Sequence, residues 1–273
     1  MKFGRKFVKW MDSNAPSMIG DARYHYHVGL RGDIVYPKVS PILFERIGSK
    51  SATAIDVGAN VGIYTRYLCR YFSSVVSVEP IPYLAERLEA SGIGNCRVEQ
   101  VALGDQSEII TMRVPVNAAG DEMPALSTAS KDNSLSFIAS AGIIERKVQC
   151  RRLDEIAQIC EKLAFVKIDV EGFEGAVLSG AAKVLTELRP IFQVEIGRAH
   201  NPNYLEITSL FAQNEFTGFA VQKDGLYTDV EYFLNSQPLV VSDDELDSPS
   251  GCWDYLFIPN ERVKIVSADL VRK

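Results

Sequence analysis

Ala54-Ile55-Asp56-Val57-Gly58-Ala59-Asn60-Val61-Gly62 is a short apolar run ending in two glycines four residues apart. Behind it, Val61, Tyr64, Leu68, Cys69 and Phe72 recur at helical spacing. That pattern predicts a buried strand, a tight glycine turn and a helix. Such a turn brings the backbone N–H groups of a helix N-terminus to the C-terminal edge of a sheet. A nucleotide-like cofactor or its anionic group is held well there.

Further strands and helices alternate outward from this turn. Val75 to Val78 reads as a second strand, stopped by Glu79-Pro80. Pro82 suits the first turn of the next helix, with Leu84 and Leu88 inward and Ser91-Gly92 at its end. Cys96 to Val101 is a third strand, closed by Ala102-Leu103-Gly104-Asp105. Leu153 to Leu163 reads as a helix, Phe165 to Val170 as a buried strand, and the segment from Phe173 to Leu188 as a helix with Pro190 at its exit. Ile191 to Ile196 is another strand, a helix covers about 203–213, and Gly218 to Gln222 and Trp253 to Ile258 close the sheet, the last pair as an antiparallel edge. The alternation predicts an α/β, doubly wound, mostly parallel seven-stranded sheet with right-handed crossovers.

Two segments depart from that rhythm. Residues 1–50 read as an N-terminal arm, with a small hairpin around residues 24–36 and a short helix from Ile42 to Ile47. Residues 106–150, inside the 51–273 domain, read as an inserted hairpin with a long polar loop, of the kind that forms lids or binding loops. The first 12 residues place four basic side chains among Phe3, Phe7, Val8 and Trp10. They read as a surface helix, with a weak contact to a membrane surface as the alternative.

The bulk numbers exclude several classes. With 273 residues, 47% of them hydrophobic, the chain can bury a large core. A net charge of −6 argues against a general nucleic-acid binder. No apolar run reaches membrane-span length, so no transmembrane segment is expected. The five cysteines are odd in number and form no C-x-x-C pair, which points to reduced thiols and a cytoplasmic protein.

The residues that could carry chemistry gather at the predicted C-terminal edge. Gly58 and Gly62 lack the G-x-G-x-x-G spacing of dinucleotide enzymes, which argues against a nicotinamide-dependent oxidoreductase. Glu79 ends the second strand, 23 residues after Asp56. A carboxylate there can accept hydrogen bonds from both ribose hydroxyls of a nucleoside. Asp56 is either a turn residue or a carboxylate near a cationic cofactor. Asp105 suits a base amino group or its own turn equally.

This combination resembles the S-adenosylmethionine-dependent methyltransferases of the doubly wound class, and specifically the FkbM family. The matching stretches are Asp56 to Gly62, Glu79-Pro80, Val101 to Asp105, Leu153-Asp154, Lys167-Ile168-Asp169-Val170-Glu171-Gly172-Phe173-Glu174, and Arg189-Pro190 with Glu195. They span roughly residues 50–200. The resemblance implies a Rossmann-like fold, S-adenosylmethionine as cofactor and O-methylation of a saccharide or natural-product hydroxyl. It implies a cofactor set of Asp56, Gly58, Asn60, Gly62, Glu79, Pro80, Ala102, Asp105 and Asp169. A non-catalytic module that keeps the cofactor pocket is the alternative.

Methyl transfer to a hydroxyl needs in-line alignment and the loss of a proton. Asp169, at the end of its strand, is a candidate to position the acceptor or act as base. Lys167 is expected as its ion-pair partner. Glu195 and His200, at the end of the next strand and in the loop after it, complete the catalytic candidates. Glu171 and Glu174 are expected in the first turn of the following helix, where carboxylates are favourable. Asp169, Glu195 and His200 could also hold a divalent cation, but their spacing matches no metal motif, and no metal is expected. His25 and His27 lie in the arm. The acceptor and the oligomeric state, a homo-oligomer among the options, are open at this level.

Overall fold

The computed structural model describes residues 40–48, 51–117, 119–131, 133, 135, 142–198, 201–222, 225–237 and 254–272. In chain order its regular elements are α1 (Ser40–Ile47), β1 (Thr53–Val57), α2 (Ile63–Leu68), β2 (Ser74–Val78), α3 (Pro82–Ala90), β3 (Cys96–Glu99), β4 (Ala102–Leu103) and β5 (Ile109–Val116). There follow β6 (Gly142–Arg151), α4 (Leu153–Ala157), β7 (Leu163–Ile168), α5 (Glu174–Ser179), a π-helical turn at Val184–Leu188, β8 (Ile191–Glu195) and α6 (Tyr204–Gln213). β9 (Phe216–Gln222), β10 (Gly225–Tyr227), α7 (Val230–Ser236), β11 (Asp254–Pro259), α8 (Val263–Val266) and β12 (Val271–Arg272) complete the order.

The main sheet runs β12-β10-β9-β11-β8-β7-β1-β2-β3. Its centre is parallel: β1 pairs β2 and β7, and β7 pairs β8. Strand order reverses between β1 and β7, which opens a crevice at their C-terminal ends, where ligands of such sheets bind. The expected seven strands become nine because β10 and β12 add two short strands at one edge. β11 is antiparallel to both neighbours, β8 and β9, so it sits inside the sheet rather than at its edge.

Every residue of β1 and β7 is buried. Parallel strands covered on both faces read as continuous apolar runs, which is how these two declared themselves in sequence. One face packs Ile55, Val166, Phe192 and Val194 against Val177, Val184, Leu185, Ile207 and Phe211. On the other, Ala54, Phe165 and Ile191 pack under Phe44, Tyr64, Tyr67, Leu68 and Phe72. Phe44 of α1 meets Phe165 edge-on, with ring centroids 4.9 Å apart. α1 therefore closes the core from outside the parallel unit.

The insertion forms a second sheet, β4-β6-β5, with β5 and β6 antiparallel from Ile109↔Gln149 to Val116↔Gly142. Ala102 and Leu103, expected as the turn after the third strand, enter this sheet instead. The helix expected over 153–163 ends at Ala157, and Leu163 already belongs to β7. The hairpin around residues 24–36, the first 12 residues, His25, His27, His200 and Cys252 all lie outside the described residues. Cys69, Cys96, Cys150 and Cys160 are free thiols. Among the described residues no helix is long and apolar enough to cross a membrane.

Candidate functional site

A cavity of about 310 Å³ lies along the C-terminal edge of the sheet. Gly58 and Asn60 after β1, Glu79, Pro80 and Ile81 after β2, Val101 to Leu103 after β3, Asp169 to Glu171 after β7 and Glu195 of β8 all line it. Met112 and the segment Pro124–Leu126, Ser127 and Ala129 of the insertion roof it. The walls are apolar at the β2 and β3 end and acidic at the β7 and β8 end.

The turn is shaped by backbone geometry. Gly58 has φ +79°, and an added Cβ would stand 1.9 Å from the Asp169 carbonyl oxygen. The bare turn therefore packs directly against the chain leaving β7. Asn60 also takes a positive φ, of 51°, and its N–H donates to Glu79 Oε2 at 2.7 Å. The Ile81 N–H donates to Glu79 Oε1 at 2.9 Å. Two backbone donors thus fix the Glu79 carboxyl at the cavity wall, 4% exposed. Burial pushes its pKa from 4.5 up to about 7, against those two hydrogen bonds.

At the acidic end, Asp169, Glu171 and Glu195 each offer an oxygen, all within 4.8 Å of one another. Glu171 has φ +52° and lies in the loop before α5, not in its first turn as expected. Burial, then the charges of Asp169 and Asp254, holds the Glu195 carboxyl well above the usual range. Lys167 Nζ lies 2.7 Å from Asp169 Oδ2 and 4.0 Å from Asp56 Oδ1. Burial lowers the Lys167 pKa, but the Asp169 and Asp56 carboxylates more than offset this and hold it above the ordinary lysine value. Its ammonium also sits 5.2 Å from the Tyr64 ring centroid, a cation–π distance.

The sequence-derived candidates divide accordingly. Gly58, Asn60, Glu79, Pro80, Ala102, Asp169 and Glu195 line the cavity. Asp56 does not: it is a fully buried residue of β1 whose side chain accepts from Thr65 Oγ1 of α2 at 2.6 Å and supports Lys167. Gly62 also sits behind the wall, with α3 packed against it; an added Cβ would meet Leu88 Cδ1 at 2.2 Å. Asp105 is exposed and outside the lining, because Leu103 ends β4 and the chain then turns to solvent. Lys167 lies beneath the cavity as the expected partner of Asp169. His200 is outside the described residues.

Sequence reasoning missed three groups. The roof segment carried no motif. Glu174 reads as a helix-start carboxylate, yet it is 2% exposed. It accepts from Val170 N at 3.3 Å, Gly172 N at 3.0 Å and Asn201 Nδ2 at 3.3 Å, pinning the loop that carries Glu171. Beneath the site, Tyr64 donates to Gln193 Oε1, and Gln193 Nε2 donates to Asp254 Oδ1 at 2.7 Å.

A family model for the methyltransferase FkbM domain matches residues 56–218, more than half of the chain. No curated protein matches. Among solved structures, the chain is similar to a methyltransferase FkbM from Methylobacillus flagellatus KT at 14% identity and TM-score 0.45. That alignment covers 76% of this chain and 44% of the other, so the chain spans less than half of that relative's length. It is also similar to an O-methyltransferase from Bacillus cereus in complex with SAH, at 13% identity and TM-score 0.41 over 92% and 96% of the two chains. An rRNA methylase from Streptococcus thermophilus follows at 12% identity and TM-score 0.39, over 79% and 89%. By the extent of the domain match, the chain belongs to the FkbM methyltransferase family.

Proposed function

We propose that the chain is a cytoplasmic S-adenosylmethionine-dependent O-methyltransferase acting on a hydroxyl of a saccharide or natural-product acceptor. The observation that carries this reading is one cavity with a fixed carboxylate after β2 and an acidic trio at the β7 and β8 end. Glu79 directly follows β2 beside the glycine turn, where a carboxylate accepts the two hydroxyls of a ribose. The apolar walls from Ile81, Val101, Ala102 and Met112 suit a flat base. Asp169, Glu171 and Glu195 suit a cationic sulfonium. The residues present therefore fit this cofactor. When bound, it supplies a methyl group on a positively charged sulfur.

The chain's own residues supply alignment and proton handling. Lys167 keeps the Asp169 carboxylate paired and pointing into the cavity. Glu195, with its raised proton affinity, accepts the acceptor hydroxyl's proton once ionised. In-line alignment of hydroxyl and methyl supplies much of the rate.

Calorimetry with S-adenosylmethionine and S-adenosylhomocysteine tests the reading. Binding of both is expected, and binding of neither sinks it. Binding without turnover across a broad panel of hydroxyl acceptors returns the chain to a non-catalytic module.

A further inference from the structure

One side chain of the insertion grips the acidic loop after β7. Asn133 is 1% exposed, and its Nδ2 donates to the Glu171 carbonyl oxygen at 2.9 Å, across 38 residues of sequence. The insertion holds this amide from its own side. Asn133 Oδ1 accepts from the Leu135 N–H at 3.0 Å, and the Asn133 N–H donates to Ser130 Oγ at 3.4 Å. The Arg113 guanidinium donates to the carbonyl oxygens of both Ser130 and Asn133. Arg113 belongs to β5, and its backbone is paired with Thr128 in both directions. With its oxygen and its backbone tied down, the amide presents its NH₂ group to Glu171 in one fixed direction.

Glu171 sits where a side chain is strained. Its φ is +52°, in the left-handed region, and Gly172 follows at φ +93°. Glu174 accepts from the N–H groups of Val170 and Gly172, on either side of Glu171. Asn133 takes the carbonyl between them. These bonds fix the turn that puts Glu171 in the cavity wall, with a carboxylate oxygen within 4.8 Å of oxygens of Asp169 and Glu195. Like charges that close repel, and an acidic side chain on a loose loop would swing toward water. The lysine beneath the cavity is spent on Asp169, at 2.7 Å. Keeping the third carboxylate in the trio therefore falls to the backbone of its turn.

We propose that Asn133 is a positioning residue. From the insertion it fixes the Glu171 turn, and so keeps in place the negative charge that favours the sulfonium of S-adenosylmethionine over the neutral thioether of its demethylated product. This rests on the cofactor reading above. It gives the insertion a part in the charge of the cavity as well as in its shape.

The test measures binding of S-adenosylmethionine and S-adenosylhomocysteine by calorimetry to wild type, Asn133→Ala, Glu171→Gln and the double variant, with the melting temperature of each free protein. The two compounds differ by the methyl group and the positive charge on sulfur. Displacing one carboxylate from a charged sulfur predicts that Asn133→Ala loses roughly three- to tenfold more affinity for S-adenosylmethionine than for S-adenosylhomocysteine. Glu171→Gln should show the same bias, and adding Asn133→Ala to it should change the ratio no further. If Asn133→Ala does not fold, Asn133→Ser is read in the same way, because its short hydroxyl can accept from the Leu135 N–H but falls short of Glu171. A lower melting temperature with both affinities unchanged, or reduced alike, makes Asn133 a structural residue only and overturns the proposal. So does an unmoved ratio in Glu171→Gln, or a full further loss in the double variant, which places the effect of Asn133 away from Glu171. In each of these cases the cofactor reading stands. A wild type that binds neither compound overturns both the cofactor reading and this inference.

Discussion

The Lys167 ammonium lies 2.7 Å from the Asp169 carboxylate. That contact joins the acidic end of the cavity to a buried polar layer beneath it. Under Lys167 stands Asp56, which takes the Thr65 hydroxyl, and Thr65 in turn meets Ser77 at 2.8 Å. A cation between two carboxylates lets one of them face the cavity as an anion while the other stays fully buried.

Removing that cation leaves carboxylates without compensation, one of them with no access to water. Lys167→Met should therefore destabilise the fold by about 3–5 kcal/mol, the usual cost of breaking a buried pair from one side. Adding Asp56→Asn should restore part of the loss. Denaturant unfolding of the single and double variants measures both effects. A loss below about 1 kcal/mol in the single variant contradicts the role of Lys167 as the buried counter-charge.

Glu79 and Glu174 are both buried glutamates holding two backbone N–H groups, and they differ in what else they face. Glu79 lines the cavity and Glu174 lies behind it. Glu79→Ala should weaken S-adenosylhomocysteine binding about 10- to 150-fold, for the loss of a hydrogen bond to a charged group worth about 1.5–3 kcal/mol. Glu174→Ala should lower the melting temperature with a much smaller change in affinity. Equal losses of affinity in calorimetry contradict the ribose assignment.

The same two glutamates set a pH dependence. Burial raises each from the ordinary 4.5 to about 7. The folded chain then holds these protons more tightly than the unfolded chain. Their contribution to stability is fully present below the unfolded value and is lost as pH rises through about 7. Cofactor binding has the opposite sign, because only the ionised Glu79 accepts two hydroxyls. Affinity for S-adenosylhomocysteine should fall about tenfold per pH unit below about 7 and level off above it. Calorimetry between about pH 5.5 and 8.5 reads this, and a flat profile excludes Glu79 as the titrating acceptor.

The legible parts of the molecule were those whose burial or backbone shape constrains residue type. β1, β2 and β7 are covered on both faces, so their apolar runs stood out, and the glycine turn marked where β1 ends. Glu79 was readable because a strand end followed by proline fixes its place. The helix expected over 153–163 was overlong because Ile159 and Leu163 continue a helical spacing by chance. Ile159 is exposed and Leu163 starts a strand. Asp56 and Asp105 matched by spacing, but spacing does not say which face of the strand or which side of the turn a carboxylate takes. Asn133 left no mark at all. It sits in a polar loop that reads as a lid, and only the backbone pairing of Arg113 with Thr128 makes that loop a roof.

The two glycines of the turn separate packing against backbone from packing against a side chain. Both have positive φ, 79° at Gly58 and 78° at Gly62, so alanine is strained at either by about 1 kcal/mol or more. At Gly58 the added Cβ would also stand 1.9 Å from the Asp169 carbonyl oxygen, which cannot retreat without moving the acidic loop after β7. At Gly62 the nearest atom is the end of Leu88, 2.2 Å away, which has other rotamers available. Gly58→Ala should therefore cost more stability than Gly62→Ala. Any folded Gly58→Ala protein should bind S-adenosylhomocysteine at least tenfold more weakly, since Asp169 and Glu171 shift together. Unfolding curves and calorimetry on the two variants decide this. A Gly62→Ala protein that is the less stable of the two would show that the α3 contact, rather than the approach to β7, holds the turn.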